Sequence, residues 1–186
     1  MKKFLILALL SLTTTLSQAQ FIKEKAIKAQ IGYGLSAPYD TSDVVNDGFF
    51  AQAELILTAA SWVDFRPYAG FVTTSSDGED LNDNPTPFKA ETTSFLLGGK
   101  ARVNAPIPYV SPYIEIGIGT SIGTFTTVTE FEDIDKSGIV YHIPFSFGLM
   151  LGKNKSVDIG FSYYFQPSVE QFAGAFAVGI SFPMND

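Results

Sequence analysis

Eight ionisable side chains recur inside segments that otherwise alternate apolar residues with small or polar ones: Lys28, Glu54, Asp64, Arg66, Lys100, Arg102, Glu115 and Asp158. Four are cationic and four anionic, so each charge in the set has an opposite to meet. An isolated ion is costly to bury, whereas a balanced set can be buried when its members pair. The chemistry predicted is electrostatic closure of an interior, or the lining of a narrow ion path.

His142 is the sole histidine. It shares a strand face with Ser146, with Pro144 between them. The parity of the segment turns its imidazole toward the same interior as the charges, which predicts a structural, hydrogen-bonded histidine. The remaining acids cluster between the alternating segments: Asp40, Asp43 and Asp47, then Asp77, Glu79, Asp80 and Asp83, then Glu130, Glu132, Asp133 and Asp135, with Lys89 and Lys136 the chief bases. The run from Asp77 to Asn84 is rich in oxygen ligands but lacks the spaced order of a calcium loop, so a hydrated acidic surface is expected there. No catalytic residue, metal site or cofactor is expected.

The elements that must position these groups are strands. Period-two alternation is a strand signal, and it recurs over 27–35, 49–58, 62–73, 92–103, 113–123, 140–152, 157–166 and 172–182. The fifth segment is the cleanest: Ile114, Ile116, Ile118 and Ile122 alternate with Tyr113, Glu115, Gly117, Gly119 and Ser121. Ile56, Leu96 and Met150 fall on the polar face, and Pro67 and Pro144 predict bulges, since each removes a ladder donor. Short gaps at 59–61, 104–112 and 153–156 alternate with long ones at 36–48, 74–91 and 124–139; the last gap, 167–171, is short. Long loops on one side and tight turns on the other are how an up-and-down transmembrane β-barrel reads.

The front end is a secretory signal over 1–19. Lys2 and Lys3 precede the apolar run Phe4 to Leu12, and Ser17 and Ala19 supply the small residues of a cleavage site. The barrel domain is then 20–186. There is no cysteine, hence no disulfide, thiolate metal site or lipidated N-terminal cysteine. The net charge of −7 becomes −9 once Lys2 and Lys3 leave, which argues against nucleic acid as a partner.

Alternation leaves open which face is inside, because a soluble lipocalin-like barrel alternates too. Charge decides. Eight balanced ions padded with Gly, Ala and Ser are too sparse for a water-facing wall, and the opposite face would be a very large apolar patch in water. Lipid outside and ions inside is the consistent assignment. Trp62 and Tyr109 near the turns, and Tyr33, Phe71, Tyr141 and Phe165 near the loops, fit interfacial girdles.

The strand 113–119 (Tyr-Ile-Glu-Ile-Gly-Ile-Gly), the hairpin of 144–152 and 156–165, and the closing strand 176–182 ending in Phe182 resemble the small bacterial outer-membrane β-barrels, the outer-membrane protein A, X and W types. The resemblance implies an all-β, eight-stranded antiparallel up-and-down barrel in the cell outer membrane of a Gram-negative bacterium. It implies outer-membrane lipid and lipopolysaccharide as surroundings, and insertion machinery that reads the last strand. Pro183 to Asp186 trail Phe182 and depart from that pattern. Deacylases and phospholipases of this architecture carry a lipid-facing His-x-Ser; here the pattern is His142-x-Pro144, facing inward. The expected role is a non-enzymatic structural or surface-interaction protein. The alternatives are a narrow porin-like channel and, further off, a lipid-modifying enzyme. The sequence names no extracellular partner.

Overall fold

The computed structural model describes residues 22–40 and 43–184; the predicted signal segment lies outside the described residues. Eight strands follow one another: β1 Glu24–Pro38, β2 Asn46–Ala60, β3 Val63–Ser75, β4 Lys89–Asn104, β5 Val110–Val128, β6 Asp133–Leu151, β7 Val157–Gln166 and β8 Gln171–Pro183. Each pairs antiparallel with the next, and β8 returns to β1 from Ala26↔Pro183 to Pro38↔Gln171, closing the barrel. Where all eight strands pair, closure leaves no free edge, as a bilayer requires of backbone N–H and C=O groups.

The period of two sorts the side chains by polarity, inside out relative to a soluble protein. Ile31, Phe95, Ile116 and Ile118 are 61–71% exposed on the outer wall, whereas Lys28, Glu54, Lys100 and Arg102 are at most 1% exposed inside. Trp62, Tyr109, Tyr33 and Tyr141 are exposed near the two ends of the apolar band, where amphipathic rings suit a membrane interface.

Three local expectations need correction. Neither proline makes a bulge. Around Pro67 the β2–β3 register is the same on both sides, Glu54↔Tyr68 and Leu57↔Phe65, and β4 still pairs with it at Gly99. Around Pro144 the β5–β6 register is likewise constant from Ile116↔Phe145 to Gly119↔His142. An antiparallel residue offers its N–H to one neighbour only, so each proline interrupts one ladder without displacing it. The observed irregularity lies instead between Thr58 and Ala60, beside a tight turn.

The third long gap, expected over 124–139, is mostly strand. β5 and β6 pair as far as Val128↔Asp133. The Thr129 side chain closes this hairpin by accepting from the N–H groups of Phe131 and Glu132, at 3.2 and 3.0 Å. Gap seven holds a 3-10 turn, Pro167–Val169, that packs Val169 under the hairpin against Phe125 and Val140.

Candidate functional site

The register places the eight predicted charges in the half of the lumen nearer the short turns. Lys28 stands beside Glu54 across β1–β2, Asp64 beside Arg102 across β3–β4, and Arg102 beside Glu115 across β4–β5. Six of them form a closed ring of alternating sign. Lys28 Nζ meets Glu54 at 3.0 Å, Glu54 meets Lys100 at 2.7 Å, and Lys100 meets Glu115 at 2.7 Å. Glu115 meets Arg102 at 2.6 Å, Arg102 meets Asp158 at 2.6 Å, and Asp158 returns to Lys28 at 3.5 Å. Arg66 hangs from this ring through Glu54 at 3.1 Å and carries Asp64 at 2.8 Å. Arg66 and Lys100 are direct cross-strand neighbours of like charge. Such a pair alone would be destabilising; the Glu54 carboxylate, bonded to both, offsets it.

Neutral groups complete the network. Gln52 donates to Glu54 at 2.8 Å, Thr58 to Asp64 at 2.9 Å, and Tyr113 to Asp158 at 2.7 Å. The Arg102 guanidinium lies 3.5 Å from the centre of the Tyr113 ring, and Lys100 Nζ lies 5.3 Å from that of Tyr68. Both tyrosines lie flat along the inner wall because glycine makes room. A Cβ at Gly148 or Gly160 would collide with Tyr113 Oη, and one at Gly98 or Gly119 with Tyr68 Oη. These four glycines make the room that the two tyrosines occupy.

Above the ring, toward the loops, the lumen changes character. Phe50, Tyr68, Val72, Leu96 and Tyr164 pack against Ala173, Ala175 and Ala177 of β8. At its edge His142, fully buried, bridges two hydroxyls: Nε2 is 2.5 Å from Tyr68 Oη and Nδ1 is 2.7 Å from Ser121 Oγ. Gln166 donates to Ser121 at 2.9 Å. A neutral imidazole offers one donor and one acceptor, and each hydroxyl can take either role, so the site is satisfied without ionisation. Ser121 with His142 is chemically a nucleophile beside a base, but both side chains are fully buried.

Nearer the loops, Ser36 and Thr74 meet at 2.6 Å, Asn46 accepts from the Ala90 N–H at 2.7 Å, and Thr127 donates to the Val169 carbonyl at 2.7 Å. At the opposite end a cavity of about 690 Å³ opens at the mouth, rimmed by Lys23, Lys25 and Lys155 and floored by Ile56, Asp64, Arg66 and Met150. Among the described residues no group of three or more His, Asp or Glu is placed to hold a metal ion.

All eight sequence-predicted charges therefore come together in one network. Phe50 and Val72 were not singled out from the sequence, although their even spacing from Gln52 and Arg66 places them on the lumen face. The partnership of Ser121 with His142 has no sequence signal, since the two are adjacent only through the β5–β6 register. His142 and Ser146 share the inner face, as their parity predicts, and Ser146 bonds Ser162 at 3.0 Å.

No protein-family model matches the chain, and no curated protein matches it in sequence. Solved structures do match in fold. Neisserial surface protein A aligns over 86% of this chain and 97% of its own, with a TM-score of 0.61 at 11% identity. The attachment invasion locus protein Ail of Yersinia pestis aligns over 86% of this chain and 99% of its own, with a TM-score of 0.48 at 15% identity. The outer membrane protein OprG of Pseudomonas aeruginosa aligns over 88% and 98%, with a TM-score of 0.48 at 11% identity. With its closed antiparallel circuit and inverted polarity, the chain has the fold of the small eight-stranded outer-membrane β-barrels.

Proposed function

We propose that this is a non-enzymatic barrel of the bacterial outer membrane, sealed along its axis, which acts as a structural or surface-interaction protein through the acidic end it holds outside the bilayer. The observation that carries this reading is the closed ring Lys28–Glu54–Lys100–Glu115–Arg102–Asp158, every member of which is at most 3% exposed. A conducting path needs charges that water can reach; these are consumed by one another. The apolar outer wall suits lipid, and the acidic loops suit the hydrated, cation-rich layer around lipopolysaccharide. Phe182, next to last in β8, supplies the aromatic that insertion machinery would read. The fold itself decides none of these roles.

Reconstitution into a planar bilayer tests the reading. The expected result is no discrete conductance above the bare membrane, together with heat-modifiable gel migration of the membrane-extracted protein. Stepwise currents would instead favour the narrow channel, for which the turn-side mouth cavity speaks. The Ser121–His142 pair is buried in the lumen, out of reach of lipid, so mass analysis of lipid A with and without the protein is expected to show no difference.

A further inference from the structure

Two side chains break the charge pattern of the turn-side lumen. Ile56 and Met150 lie inward among the ions, 8% and 7% exposed. Neither belongs to the apolar cluster nearer the loops. Both line the cavity of about 690 Å³ at the turn-side mouth, a volume typical of a ligand pocket. The charged half of the barrel thus ends in an apolar floor at an open mouth.

Beside that floor the charges are matched, because Arg66 bonds both Glu54 and Asp64. At the rim they are not. Lys23 and Lys155 line the cavity and have no carboxylate partner among the described residues. Outside the lumen network, the turn end carries Lys23, Lys25, Lys153 and Lys155 against Glu24 alone among the described residues. Lys155 has a φ of 51°, and its N–H donates to the Gly152 carbonyl at 3.1 Å. This turn therefore keeps a lysine at the rim in a conformation that favours glycine. The walls add Ser61, Asn104, Ser156 and Ser181, hydroxyls and an amide that pair with peptide N–H and C=O groups. An alkyl chain offers these groups nothing.

The geometry points to a docking site for an acidic peptide segment of a second protein, with one apolar side chain seated on Ile56 and Met150 and the flanking carboxylates at Lys23 and Lys155. Burial of the apolar group supplies attraction, and the rim charges supply selection and steering. A phospholipid is a poorer occupant, because the cavity is lined from the lumen by Ile56, Asp64, Arg66 and Met150 and not by the wall that meets lipid. That the peptide comes from the periplasm rests on the reading that the loop end faces out of the cell; the site itself does not.

The probe is a capped, fluorescein-labelled peptide with one leucine between two pairs of glutamates, titrated by anisotropy against the protein in phosphatidylcholine nanodiscs at low salt. Saturable binding is expected, weakened about tenfold by Lys23→Gln with Lys155→Gln. Met150→Gln should weaken it about tenfold too, as should serine in place of the peptide's leucine. Heat-modifiable migration reports whether each variant is folded, and the serine peptide probes the floor on the unaltered protein. No saturation by millimolar peptide would overturn the proposal. Equal binding of the serine peptide would do the same, since charge alone would then account for the contact. Hexyl phosphate displacing the probe at lower concentration than the unlabelled peptide would assign the cavity to an alkyl anion and likewise overturn it. The chain lacks cysteine, so Lys155→Cys gives one unique handle for orientation. A large polyethylene glycol maleimide should label it only after the outer membrane is permeabilised. Labelling of intact cells would sink the periplasmic source and the orientation, and would leave peptide binding in nanodiscs standing.

Discussion

In the turn-side half of the lumen, eight ionised groups face one another across the barrel. In the loop-side half, Phe50, Val72, Leu96 and Tyr164 meet beside a fully buried His142 bound only to hydroxyls. Both halves bury their side chains, by opposite chemistry. The charged half is specified by pairing, because each ion's desolvation is offset only while its opposites stay within reach. The apolar half is specified by shape, because its side chains need volume matched to the alanines of β8 and to the glycines beneath Tyr68. The charged half should therefore respond sharply to loss of a partner, and the apolar half to changes of volume.

Glu54→Ala should have the largest effect. It removes the anion shared by Lys28, Arg66 and Lys100, and leaving buried charges short of a partner costs about 3–5 kcal/mol. Equilibrium unfolding in urea from phospholipid vesicles measures it. A cost near zero would mean that the ring is hydrated and that the two halves do not differ as described. Ile116→Arg addresses the wall common to both halves: Ile116 is 61% exposed on the lipid side, and arginine near mid-membrane costs about 2–4 kcal/mol. Ile116→Leu in the same assay should change stability by less than about 0.5 kcal/mol.

Leu96→Ala tests the apolar half, where a fully buried side chain leaves a cavity worth about 2–3 kcal/mol. Gly119→Ala sharpens the contrast with a single methyl. Its Cβ would collide with both His142 Nε2 and Tyr68 Oη, which predicts about 1–2 kcal/mol of overpacking and a displaced His142 ring signal by NMR. The same methyl should leave the Glu54–Lys100 pair intact.

Much of this architecture was legible in the chain. Alternation is local, so the number of strands, the face each residue takes and the interior fate of Lys28, Arg66 and Glu115 followed from period two and charge. The prolines misled because a missing donor reads the same whether it displaces a ladder or merely skips one bond. The 124–139 segment misled because its Thr, Asp and Ser residues read as loop; pairing of β5 with β6, closed by Thr129, overrode that composition.

What the sequence determined by itself was the inside-out barrel, since side-chain direction depends only on parity along each strand. What only the tertiary structure decided were the contacts across the lumen. Lys28 reaches Asp158 and Gln52 accepts from Tyr164 over sequence separations of 130 and 112 residues. Parity says that such groups point inward. Only closure and register say which of them share a level, and so which charges pair and which tyrosines lie over glycine.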